Sequence, residues 1–144
     1  MAAKDVAALV RAIDRERARL RRLLRSQSNT ALAKRPPSGD WSIVENVRHL
    51  LFAEQLHLGR FLPHGLTWSP LGLTDRTGRA YVTVGTRPTR NVDKVFEAWD
   101  EVHEAVRKAV RSADGDVQMA LEVNLRHLTV HFRTIEDLLP ARSA

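Results

Sequence analysis

Two histidines, His127 and His131, stand four residues apart in the stretch LRHLTVHF at 125–132. Residues four apart on a helix lie one above the other on the same face, so two imidazoles so placed can bite one metal ion. A third histidine, His49, falls in an earlier helical stretch. On a wheel of ~100° per residue it sits roughly 160° from the centre of that stretch's main apolar stripe, in a second, mixed patch with Glu45, Phe52, Ala53 and Leu56. Three neutral imidazoles from two helices would form a His₃ set with an open position, the layout of catalytic rather than closed structural zinc sites. A metal held that way lowers the pKa of a bound water or thiol and so makes a nucleophile near neutral pH. The plainer alternative is that the histidines are unrelated polar side chains, since HxxxH pairs also arise by chance on amphipathic helices.

Composition narrows the chemistry. The chain has no cysteine, which excludes disulfides, thiolate ligands and a cysteine nucleophile of its own. A metal site must then use nitrogen and oxygen ligands, and thiol chemistry must bring its thiol from outside. The net charge of +6 comes from 23 basic residues, 19 of them Arg and 4 Lys, against 17 acidic ones. Arginine's fixed fork suits carboxylates and phosphates, so the balance favours an anionic ligand or nucleic acid without choosing between them. Apolar runs such as LLFA at 50–53 are far short of the ~20 residues that span a bilayer, and the N-terminus has no long apolar segment of a signal peptide. The expectation is a cytoplasmic protein with no membrane partner. No P-loop, GxSxG or GxGxxG is present; GLTDRTGR at 72–79 lacks the P-loop spacing and lysine, and Leu128 stands where HExxH would need its glutamate.

The elements that must position the histidines are helices. Val6, Leu9, Val10, Ile13, Leu20, Leu23 and Leu24 recur at helical spacing over about 3–27, with an arginine-rich opposite face in RERARLRRLLR. After the break at KRPPSGDW, Ser42 and Glu45 form a predicted capping box, and the second helix runs toward Pro63. A long connection, 63–90, follows; AYVTV within it could be a short extended piece, and so long a loop is usually functional or mobile. The third helix starts near the cap Asn91 and stops before SADGD; the fourth covers about 116–139. The pattern predicts one domain over 1–144, an all-α four-helix bundle with a long connection between helices 2 and 3.

The segment SGDWSIVENVRHL at 38–50 resembles the start of the second helix in the DinB-like (damage-inducible) family of metalloproteins, through Trp41, Ser42, Glu45 and His49. The HxxxH pair His127 and His131 matches the family's second element on its last helix. The resemblance implies a four-helix bundle carrying a divalent metal, often zinc or nickel, with His49, His127 and His131 as ligands. It implies an S-transferase acting on an electrophile with a low-molecular-weight thiol such as mycothiol, bacillithiol or glutathione; relatives include a mycothiol-dependent maleylpyruvate isomerase. It assigns no other catalytic residue. A homodimer is the expected assembly.

Other residues carry weaker readings. Asn124 and Glu45 could stand behind the ligands, Glu45 more simply as a helix cap. Arg48, Arg60 or Arg126 could hold anionic parts of a thiol. Trp41 reads as a core or staple residue beside the cap, and His57 as a surface histidine that could also lean toward the site; His64 and His103 carry no pattern. Two other functions remain open: a non-catalytic metal- or ligand-binding bundle serving as a stress-response or interaction module, and nucleic-acid binding by the basic face of the first helix. The second lacks a helix-turn-helix signature and aromatics interleaved with the basic stretch.

Overall fold

The computed structural model describes residues 2–63, 65, 67–74, 89–110 and 116–140. Among them the chain is all-helical, with four long helices and one short one. These are α1 (Ala2–Leu24), α2 (Asn29–Ala33), α3 (Ile43–Leu58), α4 (Val92–Val110) and α5 (Val117–Leu138); a single 3₁₀ turn, Gly59–Phe61, extends α3. No helix is long and apolar enough to cross a membrane.

The first helix stops three residues before its apolar pattern suggested, and a short helix that the pattern did not show follows. Ser28 caps α2 by accepting a hydrogen bond from the Ala31 amide, and Leu32 is buried. Pro36 and Pro37 prevent the chain from continuing as helix. The turn that follows places Gly39 at φ +79°, a left-handed conformation open to glycine at little cost. The capping box then forms as read. Ser42 Oγ accepts from the Glu45 amide at 3.2 Å, and Glu45 Oε1 accepts from the Ser42 amide at 3.0 Å. Glu45 also takes a two-pronged bond from Arg35, which with its cap bonds outweighs burial and holds its carboxyl at about 2.

The third helix runs against α5, α4 and the α2 segment, while α1 packs on α5 and α4. Its core side, including Val47, Leu51 and Leu58 at 0 % exposure, meets Trp99 and Phe96 of α4 and Leu121, Leu128 and Ile135 of α5 in one apolar cluster. α3 also buries its other side. Residues 67–73 lie along it as a strap: Gln55 bonds the Thr67 carbonyl and the Ser69 amide, Arg48 donates to the Leu71 carbonyl, and the Leu73 amide donates to the Arg48 carbonyl. Phe52 stacks on Trp68 at 5.2 Å, and a Cβ at Gly72 would meet Phe52 at 3.3 Å, so the strap lies close on the helix. This cover accounts for Phe52 in the second patch on α3 that its sequence displays, whereas Leu56 stays exposed. The AYVTV stretch lies outside the described residues.

A buried ionic network ties the long helices together. Glu54 of α3 has no exposure to water. Its carboxylate accepts from Trp99 Nε1 at 3.1 Å, His103 Nδ1 at 2.8 Å and Asn124 Nδ2 at 3.3 Å. His103 Nε2 in turn bonds Asp14 of α1, so both ring nitrogens face carboxylates and the ring is held as an imidazolium. Burial alone would push the Glu54 carboxyl up and the His103 ring down; their hydrogen bond and mutual charge reverse both, leaving Glu54 below and His103 above the ordinary value. Removing one partner of such a pair leaves an uncompensated charge, so Glu54→Ala is expected to lower the unfolding free energy by about 3–5 kcal/mol in urea titrations. A loss below about 1 kcal/mol, the scale of exposed pairs, would show that the network does not hold the helices.

Candidate metal centre

The capping box sets the start of α3, and seven residues on, His49 faces α5. It is 7 % exposed. His127 and His131 project from adjacent turns of α5 toward it, with ring centroids 5.0 Å from His49 in each case and 4.4 Å from each other. One ring nitrogen from each of the three lies within 4.8 Å of the others, so the cluster could hold a metal ion.

Hydrogen bonds decide which nitrogens are available. His49 Nδ1 lies 3.0 Å from the Leu73 carbonyl of the strap. A carbonyl only accepts, so Nδ1 carries the proton and Nε2 keeps its lone pair. His131 Nδ1 lies 2.9 Å from Asn46 Oδ1, and the Asn46 amide nitrogen is turned away to the Ser42 carbonyl at 2.9 Å. That fixes the amide, makes His131 Nδ1 a donor as well, and again leaves Nε2 as the ligand nitrogen. Holding a ligating imidazole by its other nitrogen is the usual way of orienting it for a metal. His127 departs from this pattern: its Nδ1 is buried with no hydrogen-bond partner among the described residues. A neutral, nitrogen-only set of this kind fits zinc or nickel better than magnesium or calcium, which favour oxygen.

The surroundings keep the rings neutral. Burial first, and then repulsion from His131, His49 and His57, lowers His127 to about 3. Burial and then the charge of His49 lower His131 to about 4. Ligand imidazoles must be unprotonated, so the site arrives ready for a cation. Trp41, read as a core or staple residue beside the cap, is half-buried with its ring 4.9 Å from that of His49.

The other sequence candidates are placed as follows. Asn124 is buried, bonded to Glu54 and to His57. Glu45 is occupied by Ser42 and Arg35 at the start of α3. Arg48 is 4 % exposed and clamps the strap through Leu71; Arg60 lies over the Phe61 ring at 4.8 Å and Arg126 is exposed. His57, read as a surface histidine that could also lean toward the site, does lean toward it: its ring stands edge-on to His127, 5.6 Å between centroids and tilted 80°, with Nδ1 3.1 Å from Asn124 Oδ1. Asn46, Glu54 and His103 carry tasks that no reading of the sequence assigned. Part of the arginine face of α1 is spoken for, since Arg17 and Arg21 both pair with Asp100 of α4 and Arg19 with Glu16.

The depressed histidines set a pH dependence. In the unfolded chain they take a proton near 6.5, whereas in the folded chain His127 waits until about 3 and His131 until about 4. Protons therefore bind the unfolded state more tightly as pH falls, and stability complete above the unfolded value is lost on acidification. For metal-free protein, chemical denaturation is expected to show a decline from about pH 6.5 to 5, before ordinary carboxylates titrate, and a flatter curve in the His127→Ala, His131→Ala double variant. Equal slopes in the two proteins would show that the histidines are not held neutral.

The comparisons with known proteins agree with this architecture. The model of the DinB superfamily matches residues 12–135, which takes in the second half of α1, all of α3 and α4, most of α5 and all three clustered histidines. No curated protein and no solved structure matches the chain. With the match running over most of its length, the chain belongs to the DinB superfamily.

Proposed function

We propose that this DinB-superfamily protein is a single-domain four-helix bundle with His49, His127 and His131 as the ligands of one divalent metal, zinc or nickel, and that it is an S-transferase for a low-molecular-weight thiol. The observation that carries the reading is the convergence of three imidazoles from two helices, two of them held by Nδ1 so that Nε2 faces the centre. When bound, the metal supplies Lewis acidity that ionises a thiol or water near neutral pH. The protein's own part is to hold the rings neutral and oriented, through Leu73, Asn46 and burial. A three-ligand set leaves coordination positions for a reactant. A thiol co-substrate accords with a chain that has no cysteine of its own, and an abundance of arginine suits the anionic groups of mycothiol, bacillithiol or glutathione.

The test is elemental analysis of untagged protein followed by a thiol-consumption screen against small electrophiles. The expected result is about one zinc or nickel per chain, lost in the His127→Ala, His131→Ala double variant, with thiol turnover that disappears alongside the metal. Protein that takes up no metal after supplementation would overturn the whole reading. Stoichiometric metal without turnover of any thiol would leave a metal-binding bundle and remove the transferase.

A further inference from the structure

The three clustered histidines are not supported alike. His49 and His131 each have an oxygen acceptor for Nδ1, whereas His127 Nδ1 is buried and orphaned among the described residues. Beside it stands a fourth ring, His57, which the ligand cluster does not include. The tautomer of His57 can be worked out from the far end of a chain of hydrogen bonds. Glu54, as a carboxylate, only accepts. Asn124 must therefore turn its amide nitrogen to Glu54, as it does at 3.3 Å, and its carbonyl oxygen to His57, as it does at 3.1 Å. That oxygen makes His57 Nδ1 a donor, so of its two ring nitrogens Nε2 is the one left that can accept. The Glu54 end cannot invert, because Trp99 Nε1, a pure donor, and His103 hold the same carboxylate.

We infer that His57 is a positioning residue of the metal centre, whose Nε2 accepts the Nδ1 proton of His127 and thereby supplies the support that His127 otherwise lacks. The two rings pack edge-on with centroids 5.6 Å apart and no hydrogen bond joins them here, so the contact requires the His57 ring to turn toward His127. All three ligands then follow one rule: Nε2 toward the metal, Nδ1–H on an acceptor. Leu73 serves His49, Asn46 serves His131, and a relay of His57, Asn124 and Glu54 serves His127. The relay ends on Glu54, a buried carboxylate that also bonds α4 and, through His103, Asp14 of α1, so the bundle's ionic network and the metal centre share a member.

This inference rests on the metal-ligand reading of His49, His127 and His131, and the experiment separates the two. The full chain is loaded with cobalt(II), whose affinity is read by chelator competition and whose ligand set is read by its d–d absorption; a His49→Ala variant marks the loss of a true ligand. Orienting partners of this kind typically change metal affinity 10–100-fold, so His57→Ala is expected to weaken cobalt binding by about that factor while band positions and intensities stay those of the wild type. Asn124→Leu should move affinity the same way, and His57→Gln, which keeps an acceptor, should recover most of it. Independently of any metal, ¹⁵N chemical shifts of the metal-free wild type should show His57 protonated on Nδ1. An unchanged affinity in His57→Ala, a changed band pattern that makes His57 a ligand itself, or a His57 protonated on Nε2 would each overturn the relay and leave the three-ligand site standing. Wild-type protein that binds no cobalt would overturn the site, and the relay's role with it.

Discussion

A carboxylate removed from water costs several kcal/mol unless every lone pair is met, and at Glu54 the fold meets that demand with one group from each direction. Trp99 and His103 come from α4 and Asn124 from α5; Asp14 of α1 then balances the charge on His103. The four long helices are thereby held in one azimuthal arrangement around a single charge. Apolar packing alone tolerates small rotations of a helix about its axis, because one leucine can replace another against a smooth neighbour. A charge with three directional partners does not. The histidines on α3 and α5 inherit their mutual alignment from it, since Glu54 lies little more than one turn beyond His49, and Asn124 one turn before His127.

The third helix is the element on which most depends. It is buried on the core side by its neighbours and on the outer side by the strap, and the histidine cluster lies where the two covers meet. Most polar groups in such a helix must be placed, and among the buried side-chain atoms of α3 only Arg48 Nη2 has no hydrogen-bond partner among the described residues. Ser42, Asn46, Arg48, His49, Glu54 and Gln55 are each buried, and each is engaged by a named hydrogen bond. The density of buried polar groups along sixteen residues is what turns a packing element into a site.

This double burial also explains what could and could not be read from the sequence. The long helices, the Ser42–Glu45 cap and the pair His127 and His131 are local patterns, visible at offsets of three and four. The same is true of α1 and α4, each of which buries one stripe, so periodicity alone marks the core face. On α3 that rule fails. Where both faces are covered, a glutamate such as Glu54 looks like the solvent side of an amphipathic helix, and only its partners, 45 and more residues away, reveal that it is inside. His103 lies on the buried stripe of α4, but a single histidine in such a stripe carries no pattern that names its partners. His57, eight positions from His49, could be read as leaning toward the site, but its partners His127 and Asn124 lie on α5, far off in sequence. The short helix α2 is too brief for any period to show.

The strap gives the centre a property that a cluster held only by helices would lack. Leu73 accepts the Nδ1 proton of His49, while its amide bonds the carbonyl of Arg48 on the same turn. Seating the strap and fixing that imidazole are thus one event. By thermodynamic reciprocity, whatever strengthens the hold on His49 strengthens the seating of residues 67–73 by the same factor, and whatever lifts that segment loosens His49 equally. The setting of the His49 ring and the seating of residues 67–73 are therefore two readings of a single coupling free energy.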